Sequence, residues 1–126
     1  MNILEAAWNE IRLEADILCR TPAFPIWTDG GSWVTVEFDQ DERGVLPHHG
    51  SWMVGDLPAI LWFLATGEDD PVKRKERHEL ALSWSNRLAN RTATRSFASV
   101  SHMFFRGALA GMAIANEKTL EPLAMA

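Results

Sequence analysis

The residues with the chemistry to act on a ligand are few and scattered. His48 and His49 are adjacent, so in an extended stretch their rings point to opposite sides and do not converge on one ion. No pair of histidines is spaced as a helical metal site needs, and Cys19 is the single cysteine, which rules out a thiolate cluster and an intrachain disulfide. The chain calls for no metal and no cofactor. Serines 51, 83, 85, 99 and 101 are potential nucleophiles, but none stands in a Gly-x-Ser-x-Gly elbow. Ser101 and His102 are neighbours on a helical pattern and cannot face one another. Three residues stay in view: Trp52 in a Gly-rich loop, and His102 and Arg106 on an apolar helix. Trp52 reads as a stacking platform for a flat ligand or as core. His102 reads as a hydrogen-bond donor to a ligand or as a satisfied core histidine. Arg106 reads as an anchor for a carboxylate or as half of a buried ion pair. Asp56 reads as a helix cap rather than an acid.

These residues need elements to hold them. Leu4, Ala7, Trp8, Ile11, Ala15 and Leu18 form one stripe of a helix over about residues 3–19, ended by Thr21-Pro22. Residues 22–55 are not helical. Asp29-Gly30-Gly31 is a turn signal, residues 32–38 alternate like a short strand, and a long loop follows through Pro47-His48-His49-Gly50. A second helix is predicted over about 57–66, with Asp56 as its N-cap and Gly67 after its end; it is apolar all round and is expected to be buried on every side. Asp70-Pro71 opens a third, outer helix reaching about residue 90, whose apolar stripe is Ala81, Trp84 and Leu88. The fourth, about 99–115, is apolar and rich in small residues that permit close helix contact. A fifth begins at Thr119, and the chain stops as it starts, which reads as a truncation.

Composition bounds the answer from outside. The 126 residues carry a net charge of −5, which argues against a nucleic-acid binder. The basic run 73–77 is flanked by acids and reads as a solvated helix face. The N-terminus has no signal-peptide pattern, and the most apolar stretch, 100–116, falls short of the ~20 apolar residues of a membrane span. A soluble, cytoplasmic protein without membrane contact is expected. Six Trp, six Phe and no Tyr are consistent with a carbohydrate cleft or a partner-facing surface.

The order outer, inner, outer, inner is that of concentric helical hairpins. The motifs along it resemble those of the unsaturated glucuronyl hydrolases and their unsaturated rhamnogalacturonyl relatives. Phe24-Pro25 with Asp29-Gly30 is similar to the family's early Phe-Pro and Asp-Gly turn. Residues 52–62, Trp-Met-Val-Gly-Asp-Leu-Pro-Ala-Ile-Leu-Trp, resemble its Trp loop and Gly-Ile-Leu-Trp helix. Thr66-Gly67-Glu68-Asp69 is similar to its Thr-Gly-Asp step, and His102 falls where the family has His-Asp-x-Gly-Phe.

The resemblance implies an all-α fold, a partial (α/α) six-hairpin barrel with about two hairpins in this chain. It also implies a glycoside hydrolase activity of polysaccharide degradation: hydration of the C4–C5 double bond of an unsaturated uronic acid at oligosaccharide ends, with no metal. An Asp would supply the proton, which requires a titrating group beside the sugar. Two departures follow. Met103 stands where the family has the Asp after its His, and Phe105-Arg106 replace the Gly-Phe. The family's principal Asp would fall beyond Ala126. What carries over is binding: Trp52, His102 and Arg106 toward an unsaturated oligosaccharide, with no catalytic residue. The expectation is a fragmentary, inactive uronyl hydrolase. The alternative is a helical interaction module without catalysis, self-associating through helices 57–66 and 99–115.

Overall fold

A computed structural model describes residues 2–36, 53–91 and 104–125. Helix α1 (Ile3–Leu18) opens with a reciprocal capping box: the Asn2 side chain accepts the Glu5 N–H, and the Glu5 carboxylate accepts the Asn2 N–H. Strands β1 (Phe24–Asp29) and β2 (Ser32–Val36) pair antiparallel, with Asp29 opposite Ser32. The turn between them is Gly30-Gly31, both at positive φ (54° and 83°), the backbone that a two-residue hairpin requires. The fold is therefore mostly helical with a small two-stranded sheet. The expected strand at 32–38 has a partner in β1, and residues 37 and 38 lie outside the described residues. Sequence periodicity misses β1 because Phe24, Pro25 and Ile26 are all buried, so its first half does not alternate.

Helix α2 (Asp56–Thr66) follows a 3-10 turn, Met53–Gly55. It is the centre of the core, with Leu57, Leu61, Trp62, Leu64 and Ala65 buried. Helix α3 (Pro71–Asn86) packs along it. Its N-cap is the expected one: the Asp70 carboxylate accepts the N–H groups of Val72 and Lys73 at 2.8 and 3.3 Å, and Pro71 needs no N–H partner. Ala81, Trp84 and Leu88 are buried, as their stripe predicts. The α-helix is shorter than expected and passes into a 3-10 turn, Arg87–Arg91.

The fourth helix is composite. A π-helical turn, Phe105–Leu109, leads into α4 (Ala110–Ala115), which ends on Asn116 in the left-handed conformation. Residues 99–103 of the expected helix lie outside the described residues. A 3-10 turn (Lys118–Leu120) and the short α5 (Glu121–Ala124) fold back over the core through Leu120 and Leu123. The fourth helix touches α2 closely because it presents glycine there. A Cβ on Gly111 would stand 2.6 Å from Trp62 Cε2 and 2.6 Å from Leu120 Cδ1.

One expectation about these helices is corrected. Helix α2 is not buried on every side: Ile60 and Phe63 are 38% and 54% exposed. The stripe of α1 is covered only in part. Ala15 is buried and Trp8 and Leu18 are half-buried, whereas Leu4 and Ile11 stand in solvent because no described element lies over them.

Candidate functional site

The exposed strip of α2 forms one wall of an apolar groove of about 270 Å³. Ala59 and Phe63 line it from α2; Phe105, Leu109, Ala113 and Ile114 line it from the π turn and α4. Both Phe rings of the lining are largely exposed, Phe63 at 54% and Phe105 at 64%. The lining carries one ionisable side chain, Arg106, at its edge.

Arg106 is held from below. Its Nη1 pairs with Asp56 Oδ1, on the first turn of α2, fifty residues away in sequence. Both partners are partly exposed, at 42% and 38%, so the pair is a rim contact rather than the buried one considered from the sequence. Asp56 is not the N-cap of α2. Gly55 holds that position with no side-chain bond, and Asp56 is the first helical residue, where its negative charge complements the helix N-terminus. Sequence reasoning missed this pairing because nothing local links residues 56 and 106.

Trp52 and His102, the other two binding residues expected from the sequence, lie outside the described residues, as do Met103 and the His48-His49 pair. Arg106 is thus the one expected site residue whose surroundings are described.

Behind the groove lies a buried polar chain that spacing did not reveal. The indole N–H of Trp62 donates to Ser85 Oγ at 2.9 Å, and the Ser85 hydroxyl donates to the Gly107 carbonyl at 3.2 Å. Trp62 also stands edge-on to His78, with ring centroids 4.9 Å apart. His78 Nε2 lies 2.9 Å from Glu117 Oε2, which ties the end of the fourth helix to α3. The Glu117 carboxyl is held below its usual range by hydrogen bonds from the Thr119 and His78 side chains and the Thr119 N–H.

A second, larger cleft of about 710 Å³ runs between α1 and α3. Arg12 Nη2 bonds Glu68 Oε2 at 2.7 Å, and Arg77 bridges Asp16 and Glu68, with Nη1 to Asp16 Oδ1 at 2.9 Å and Nε to Glu68 Oε2 at 3.3 Å. The cations here are matched by acids, so the cleft offers a ligand little net charge. Most of the basic run 73–77 faces solvent as expected, Lys73 to Glu76 being exposed, although Arg74 Nε also donates to the Glu68 carbonyl at 2.7 Å; Arg77 is the member drawn into this cleft. Arg87, further along, lies over Phe24 and Trp84, with its guanidinium carbon 4.4 and 4.2 Å from the ring centroids.

Among the described residues, no group of His, Cys, Asp and Glu converges as a metal site, and no helix is long and apolar enough to cross a membrane. No protein-family model, curated protein or solved structure matches the chain.

Proposed function

We propose that this chain is part of an (α/α) barrel of the unsaturated uronyl hydrolase type, contributing ligand-binding surface and no catalytic acid, and that it is inactive by itself. The observation that carries the reading is the uncovered apolar strip on the two inner helices. An inner helix of a hairpin barrel meets neighbours on both flanks, and its apolar surface has to be covered there. Helix α2 has α3 and the fourth helix against it, yet Ile60, Phe63 and Phe105 remain in solvent. On α1, Leu4 is 77% exposed. Uncovered apolar residues on α1, α2 and the fourth helix are what a segment of such a barrel presents when its further hairpins are absent.

In this reading Arg106 anchors the uronate carboxylate. The planar N–H donors of a guanidinium match a carboxylate, the group that Arg106 already pairs with in Asp56. Met103, at the position where the resemblance expects an Asp, has no proton to give. The test is a titration of the chain with an unsaturated glucuronyl disaccharide, followed by NMR and by the ultraviolet absorbance of the double bond. Saturable shifts that Arg106→Ala weakens about tenfold, with absorbance unchanged, are expected. Absence of binding, or loss of the double bond, overturns the reading.

The same strip favours one other reading, a helical interaction module that self-associates through α2 and the fourth helix. The exposed Phe63 and Phe105 share the groove with Ala59, Ala110 and Ala113, a mix of large and small side chains that suits interdigitation. A discrete dimer that Phe63→Ser dissociates, with no disaccharide bound, supports this alternative.

A further inference from the structure

The π turn at Phe105–Leu109 requires a cause. Such turns have poorer hydrogen-bond geometry than the α-helix around them, and they persist where an outside contact holds them. The contact here is Ser85. It is fully buried on α3 and reaches across to the Gly107 carbonyl, in the middle of the turn. The direction of the chain is fixed by chemistry: an indole N–H only donates, so the Ser85 oxygen accepts from Trp62 and its single proton goes to Gly107. Glycine at 107 makes the approach possible, because a Cβ there would lie 2.5 Å from Leu88 Cδ1.

The register of this turn decides what the groove's edge presents. One residue more or less turns a helix by about 100°. Phe105 and Arg106 sit inside the turn, so a return to α geometry would swing them around the helix axis and away from their present neighbours. Arg106 would lose Asp56, and Phe105 would leave the groove's wall.

We propose that Ser85 is a positioning residue, whose hydroxyl selects the π register at residues 105–109 and thereby keeps Arg106 beside Asp56 on the groove's lining. The functional meaning of that placement rests on the reading of Arg106 as a carboxylate anchor; the register itself does not.

The test is NMR on the isotope-labelled chain without ligand, reading the backbone shifts and amide contacts of residues 105–109 and the Arg106 Nε–H resonance. Ser85→Ala is expected to convert the π pattern to an α pattern and to shift the Arg106 resonance as its Asp56 contact is lost. Ser85→Thr, which keeps the hydroxyl, is expected to retain both. Should Ser85→Ala fail to fold, Ser85→Cys gives the reading, because a thiol nearly keeps the volume but is only a weak donor. A folded Ser85→Ala or Ser85→Cys chain that retains the π pattern and the Arg106 resonance overturns the proposal. Adding the unsaturated glucuronyl disaccharide afterwards separates the two claims. A register that depends on Ser85 in a chain that binds no disaccharide refutes only the anchor reading. Binding weakened by Arg106→Ala but indifferent to Ser85→Ala refutes only the positioning role.

Discussion

Burial alone would raise the carboxyl of Glu68, and it does the opposite. The Asp70 N–H, the Arg12 charge and the Arg77 guanidinium together outweigh desolvation and hold Glu68 below its ordinary value of 4.5. Glu117 is lowered by its Thr119 and His78 partners, and Asp70 by the two N–H groups it caps. For a carboxylate lowered on folding, the stabilisation is complete above the unfolded value and disappears as pH falls through the folded one. The melting temperature is therefore expected to hold down to about pH 5 and fall below it. Glu68→Gln should flatten part of that fall in a calorimetric pH series. A melting temperature that rises on acidification would refute this assignment. Cys19 goes the other way. Burial, and then the Asp16 charge, push its thiol to about 11 from 9.0, despite opposition from Arg77 and Arg87. Alkylation by iodoacetamide at neutral pH should be far slower than for a free thiol and should accelerate toward that value. A rate equal to that of a small thiol at pH 7 would show that Cys19 is not shielded.

Among the elements, α3 was readable from its first two residues, since Asp70-Pro71 combines a side-chain cap with a ring that needs no N–H partner. The β2 strand was readable from alternation and the Gly30-Gly31 turn. Its partner β1 was not, because Pro25 within an apolar run reads as a break and the partner that pairs with it lies beyond the turn. The composition of the fourth helix signalled close packing but not the π turn. That turn depends on Ser85, whose nearest sequence clue is only that it falls beside Trp84 on a buried stripe. The groove was likewise hidden: an all-apolar α2 announces burial, and which side stays open is decided by elements far away in sequence. The small residues make a sharper claim. Gly111 lies against the Trp62 ring, which the Ser85 bond holds in place, so Gly111→Ala has nowhere to put its methyl. It should cost about 1–3 kcal/mol in denaturant unfolding. Ala113→Gly, at an exposed position, should cost less than about 1 kcal/mol. Equal tolerance at the two sites would mean that the fourth helix does not pack as described.

For the whole molecule, the balance lies between a core that is formed and apolar faces that are not covered. Trp62, Leu57, Leu61 and Phe24 are fully buried in one cluster with Trp84 and Leu88, so the described helices make a real interior. Around it, Phe63, Phe105, Ile60 and Leu4 remain open. Phe63 and Phe105 share one groove, and a large exposed apolar patch marks a place that another surface covers. The hydrolase reading and the self-association reading differ over what covers it, and they agree that something does. That shared claim is tested most directly by light scattering after size exclusion, over a concentration series, on the chain and on a Phe63→Ser, Phe105→Ser variant. Concentration-dependent association of the chain, lost in a variant of unchanged helical circular dichroism, is the predicted result. A chain that stays a monodisperse monomer at every concentration, indistinguishable from the variant, would contradict it and make the strip ordinary surface.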